Sequence, residues 1–113
     1  MTESILTEIR TRIGPSASYE VFDTDLIVLI NAAFARLCQL GVGPSAPFRI
    51  TGPLETWDDF MSEEERQPEV NDYVFLSVKL IFDPPSNSAI LNTYKEQLQK
   101  YEYLLKETAQ FGY

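Results

Sequence analysis

Two consecutive prolines, Pro84 and Pro85, separate two apolar stretches in LIFDPPSNSAIL, residues 80–91. Neither has the N–H that a continuing helix requires, and Pro84 also pushes Asp83 away from helical geometry. A helix arriving from the N-terminal side must therefore end by about Phe82, and Ser86 stands where the cap of the next helix is wanted. A chain of 113 residues amounts to one domain. The corner must therefore return a long segment against the same small body.

The segment after the corner carries Leu91, Tyr94, Leu98, Tyr101 and Leu105 at alternating steps of three and four, a heptad-like seam. Glu96 with Lys100, and Glu102 with Lys106, are spaced as i, i+4 pairs on the same helix. Before the corner, Pro68 suits a first helical turn, and Val70, Val74, Val78 and Ile81 make a stripe ending near Phe82. The β-branched and aromatic content would also suit a strand; the length favours a helix.

Earlier still, FDTDLIVLINAAFARLCQLG has a broad apolar face of Leu26, Ile30, Ala33, Leu37 and Leu40, widened by Ile27, Phe34 and Cys38. That breadth predicts a central helix. Asp23 or Thr24 is placed to cap it, Asp25 suits its dipole, and Gly41 ends it. Asn31 and Arg36 interrupt the run and are expected on the solvent side, with Arg36 also placed to meet an acid of a neighbouring subunit. The first helix, within TESILTEIRTRIGP, has one narrow stripe of Ile5, Leu6, Ile9 and Ile13, stopped by Gly14 and Pro15. Whether that stripe covers the chain's own core or a neighbour is left open.

Residues 41–56 hold three of the five glycines and three of the seven prolines, which predicts a long loop. Inside it FRIT alternates, so that Phe48 and Ile50 predict a short extended segment. The fold class read from the sequence is mainly α: one domain over 1–113, a small bundle of about four helices. The helix at 1–14 and the tail at 106–113 are its candidate peripheral segments.

Nine basic residues face 17 acidic ones, a net charge of −8. Nearly all of it lies between Glu55 and Asp72, where Glu55, Asp58, Asp59, Glu63, Glu64, Glu65, Glu69 and Asp72 are opposed only by Arg66. Without a basic cluster to replace phosphate counterions, direct DNA binding is not expected. The N-terminus is unlike a signal peptide. The apolar run from Leu26 to Leu40 is too short and too polar to span a bilayer. The single Cys38 excludes an internal disulfide and fits a packed thiol in a reducing compartment. These features read as a soluble intracellular protein.

The chain has no histidine, which removes the commonest general base and neutral metal ligand. No Walker or Rossmann phosphate loop occurs. The one candidate for chemistry, TWDDFMSEEE, lacks the glycine and spacing of an EF-hand loop. It reads first as a solvated acidic loop and next as an acidic patch facing a basic partner. No catalytic, cofactor or metal residue is assigned, and no cofactor. Thr56 three residues before Asp59 predicts a capped helical turn. Trp57 and Phe60 beside those acids either anchor the turn on the core or insert into a partner, a role in which tryptophan is enriched. Phe111 and Tyr113 around Gly112 pose the choice between docking on a neighbour and fraying.

The succession FDTDLIVLINAAFARLCQLGVGP, FRITG, ETWDDF and VKLIFDPPSNSAI resembles small head–tail connector proteins (head completion or adaptor proteins) of tailed bacteriophages and prophages, over roughly residues 20 to 105. The resemblance implies a helical, non-enzymatic virion protein, assembled in the bacterial cytoplasm. It implies self-association into a ring under the portal protein, joined below to a head–tail joining or tail protein. DNA would pass through without specific binding, and no membrane is involved. On the matching ETWDDF, Trp57, Asp58, Asp59 and Phe60 are carried over as partner-binding candidates, beside Phe111 and Tyr113. The rival readings from the residues alone are a small acidic regulator or adaptor that binds one host protein, and a carboxylate-dependent hydrolase.

Overall fold

The computed structural model describes residues 4–17, 20–44, 48–61 and 67–111, with side chains described except at 16 and from 108 onward. Five α-helices follow one another: α1 (Ile5–Ile13), α2 (Asp23–Gln39), the single turn α3 (Trp57–Phe60), α4 (Gln67–Phe82) and α5 (Ser88–Phe111). Two 3-10 turns, Pro15–Ala17 and Glu20–Phe22, join α1 to α2. The chain is mainly α, as expected. α4 packs between α2 and α5, while α1 lies across α2 and α4.

Local chemistry sets the helix ends. Ser4 caps α1 by accepting from the Thr7 N–H at 3.1 Å. Gly14 closes it at φ +103°, donating its N–H to the Arg10 carbonyl at 3.1 Å. α2 starts without a side-chain cap at Phe22. Asp23, expected as a cap, instead pairs with Arg10 of α1, and Thr24 is exposed. The double proline forms the corner between α4 and α5, but the cap there is Asn87, not Ser86. The Asn87 Oδ1 accepts from the N–H groups of Ala89 at 2.8 Å and Ile90 at 3.2 Å.

The open question about α1 is answered by burial. Ile5, Leu6, Ile9 and Ile13 are all inside, at most 6% exposed, against Leu26, Ile30, Phe34 and Leu37 of α2 and Val70, Val74 and Val78 of α4. α1 is thus central to the subunit's own core and not peripheral. Phe34 is the hub of an aromatic cluster, with ring centroids 4.7 Å from Phe60, 4.9 Å from Phe48 and 6.0 Å from Trp57. Gly43, at φ +94°, lies flat on this cluster: a Cβ there would fall 2.5 Å from the Phe60 ring.

One expectation fails here: Asn31 does not face solvent, and FRIT is not paired in a sheet. Asn31 is buried, and its side chain reaches the backbone of Ile50 in both directions, accepting from the N–H at 2.7 Å and donating to the C=O at 3.0 Å. One carboxamide thus satisfies the two polar groups that a neighbouring strand would have paired. Among the described residues the one β-bridge joins Ser4 to Thr56.

Candidate interaction surfaces

The turn α3 carries four of the partner-binding candidates. It starts as predicted: the Thr56 N–H donates to the Asp59 carboxylate at 2.8 Å. Trp57 and Phe60, however, are only 3% and 4% exposed. They anchor the turn on the core, because the Phe34–Phe48 cluster offers them more apolar contact than solvent does. The indole N–H of Trp57 donates to Glu8 at 2.9 Å, so its polar end is satisfied inside the subunit too. What the turn shows outside is Asp58 and Asp59, both exposed. Asp58 accepts from the Gln67 Nε2 at 2.6 Å, tying α3 to the first turn of α4. The Phe111 side chain, Tyr113 and the acids Glu63 to Glu65 lie outside the described residues.

Around α3 a chain of polar contacts links α1, α4 and α5. Asn71 donates to Glu8 at 2.6 Å. Arg12 donates to Asn71 at 2.7 Å and pairs with Asp72 at 2.9 Å, and the Tyr101 hydroxyl donates to Asp72 at 2.9 Å. Arg12 also lies 4.2 Å from the Phe75 ring centroid. On the other flank Glu102 accepts from the buried Tyr73 hydroxyl at 2.8 Å and pairs with Arg36 at 3.1 Å. Arg36 thus meets an acid of its own chain, and Glu102 is drawn to α2 and α4 rather than to Lys106.

These contacts shift the groups involved. Burial and the hydrogen bond to Glu102 hold the Tyr73 hydroxyl well above the ordinary tyrosine range. Tyr101 is raised by its hydrogen bond to Asp72 and by burial. Arg36 is raised by its hydrogen bond and charge pairing with Glu102. For Glu55, burial pushes the carboxyl up, but hydrogen bonds from the Thr51 hydroxyl and from backbone N–H groups outweigh it and leave the carboxyl low. The Tyr73, Tyr101 and Arg36 contacts join helices. Among the described residues no group of three or more His, Cys, Asp or Glu is placed to hold a metal ion, and no helix is long and apolar enough to cross a membrane.

The apolar surface is elsewhere. The predicted stripe of α4 holds at Val70, Val74 and Val78, but its last member, Ile81, is 67% exposed. Beside it on α2, Val28 is 61% exposed, and the two line an open groove with Asp25, Leu29 and Phe82. The groove's wall is stiffened by Phe22, whose ring meets Phe82 edge-on at 5.4 Å. A second apolar point is Leu54, 83% exposed in the loop before α3. Sequence reasoning missed both. Ile81 is in phase with the core yet lies where the core ends, and Leu54 is a lone apolar residue in a loop, which carries no periodicity.

A family model described as "Phage connector protein" matches residues 5–111, nearly the whole chain. The chain belongs to this family. No curated protein and no solved structure matches it. The resemblance read over residues 20 to 105 therefore extends through α1 to the end of α5. Membership points to a structural role in the head–tail connector, and so to a component of the virion. Left at the surface once the subunit has closed its own core are the Val28–Ile81 groove, Leu54, other exposed apolar side chains such as Val21 and Tyr103, and the two acids of α3.

Proposed function

We propose that this connector assembles as a ring at the head–tail junction of a tailed phage, seated under the portal and continuing the DNA channel toward the tail. Its work is assembly, without a reaction. One observation carries the reading. The core is filled by the chain's own five helices, with α5 contributing Leu105, yet Val28 and Ile81 converge on a groove outside it. Scattered exposed apolar residues need no explanation, but two that share a groove offer a neighbouring subunit an apolar seat. A net charge of −8 adds to this: an acidic channel wall would repel DNA and let it slide rather than hold it. The acids of α3, Asp58 and Asp59, are the proposed contact to a basic surface of the portal or of the joining protein below, with Phe111 and Tyr113 as further candidates at the chain end. Assembly takes place in the bacterial cytoplasm, before or during joining of head and tail.

The test is native mass spectrometry and negative-stain electron microscopy of the chain alone and with its cognate portal. Rings, alone or on the portal, are the expected outcome. A monomer that ignores the portal even at high concentration would overturn the reading.

A further inference from the structure

The loop before α3 is built to hold Leu54 outward. Ile50, four residues earlier, is buried and fixed by Asn31. Trp57, three residues later, is buried in the aromatic cluster. Between them Glu55 closes the loop on itself, accepting from the Thr51 N–H at 3.0 Å and from its hydroxyl at 2.8 Å. The Glu55 carbonyl accepts from the Ile5 N–H at 2.9 Å, fixing the loop to α1. Pro53 restricts the tip further. Leu54 is therefore an apolar knob whose loop has little freedom left to lose on binding, the condition under which a small contact contributes most.

Charge adds a second observation. Of the described arginines, Arg10, Arg12 and Arg36 are paired with Asp23, Asp72 and Glu102. Arg49, in the same loop as Leu54, is exposed and has no ion pair among the described residues. Asp25, at the rim of the Val28–Ile81 groove, is likewise exposed without an ion pair among the described residues. The knob's loop thus carries an exposed cation and the groove's rim an exposed anion, each without an ion pair among the described residues.

We propose that the occupant of the groove is a second copy of this chain: Leu54 of one subunit seats between Val28 and Ile81 of the next, and Arg49 meets Asp25. Knob and groove are different patches, so the contact is head-to-tail and propagates from subunit to subunit, which a ring requires. The inference rests on the ring reading and names the residues that join its subunits.

The test uses cross-linking between unlike variants of the full chain. In a Cys38→Ser background, Val28→Cys and Leu54→Cys are made separately, one carrying a mass tag, and treated with a short bis-maleimide, alone and with the cognate portal. Rings are counted by electron microscopy in the same samples. Cross-linking only when the two variants are mixed is the expected result, and the variant carrying both cysteines should give a ladder of multimers. Separately, Asp25→Arg and Arg49→Asp should each weaken association by roughly tenfold, as expected for losing one close charge pair, with recovery when both are combined. Rings without the unlike cross-link would overturn this contact and leave the ring standing. Cross-linked dimers with no ladder would overturn the head-to-tail arrangement. No cross-link and no ring, with portal present, would overturn both.

Discussion

α1 and α5 look alike in the sequence, each an amphipathic helix with a single apolar stripe, yet the fold treats them oppositely. All four stripe residues of α1 are buried, under α2, α4 and the loop whose Thr56 bridges Ser4. Along the α5 seam, Leu91, Tyr94, Leu98 and Tyr101 stay half-buried and Leu105 alone is fully inside. The stripe states which side of a helix is apolar; the number of neighbours sets how much of it leaves water. α1 is covered from several directions, whereas α5 lies mainly against α4. Its attachment therefore depends on two polar ties, Tyr73–Glu102–Arg36 on one flank and Tyr101–Asp72–Arg12 on the other.

The sharpest way to break this comparison is to make the same kind of truncation in both helices. Ile9→Ala, at a fully buried site, should cost about 3–5 kcal/mol, since the lost transfer energy is joined by a cavity that rigid neighbours cannot fill. Leu98→Ala, on a half-buried position of the seam, should cost about 1–2 kcal/mol because solvent and surface side chains can close over the gap. Urea unfolding of both variants checks it. Equal losses would mean that α5 belongs to the core as fully as α1 does.

The next effect concerns what roofs α1. Asn31→Ala leaves the Ile50 N–H and C=O buried without partners, a loss of about 2–3 kcal/mol. It also frees the loop that holds Glu55 against the Ile5 N–H. Hydrogen exchange at Ile5 should therefore quicken in the variant, while exchange in the middle of α5 changes only through global stability. If exchange at Ile5 kept its protection relative to the core, the loop would not be a roof.

Asn31 also shows where sequence reading stops. A polar residue in an apolar run looks like the solvent side of a helix, and nothing local says otherwise. Its partner lies 19 residues away in a loop. The same limit hid the partners of Glu102, since the i, i+4 spacing to Lys106 is visible in sequence while Tyr73 and Arg36 come near only after folding. What could be read was local or periodic: the stop at Pro84–Pro85, the seam from Leu91 to Leu105, the Thr56–Asp59 start of α3. Ile81 marks the boundary between the two kinds of information. Its phase is right for the core, but the core has ended by that level of α4, so a residue patterned for burial is left at the surface. Trp57 is open in the sequence to two readings, core anchor or partner insertion, and its partner in the fold is equally invisible there: the anchor site is an aromatic cluster built from α2 and the loop.

The smallest effect isolates the polar ties of α5. Tyr73→Phe keeps the ring in the core and deletes only the hydroxyl bond to Glu102, a loss of about 1–2 kcal/mol near neutral pH. Its pH dependence identifies the group. In the folded chain Tyr73 and Tyr101 hold their protons above the usual range, whereas in the unfolded chain they ionise near their ordinary value of about 10. Above that value the unfolded state binds fewer protons than the folded one, so stability falls as pH rises. The contribution is complete below about pH 10 and is lost as pH climbs through the raised values. Wild type should therefore lose stability more steeply than Tyr73→Phe on the alkaline side, so that the gap between them narrows there. Tyrosinate absorbance should show one late-titrating tyrosine fewer in the variant, and exchange along α5 should quicken before that along α1. If the two proteins ran parallel into alkali, or α1 opened together with α5, the Tyr73–Glu102 tie would not be what holds this helix, and its attachment would have to be credited to the seam and to the Tyr101–Asp72 tie.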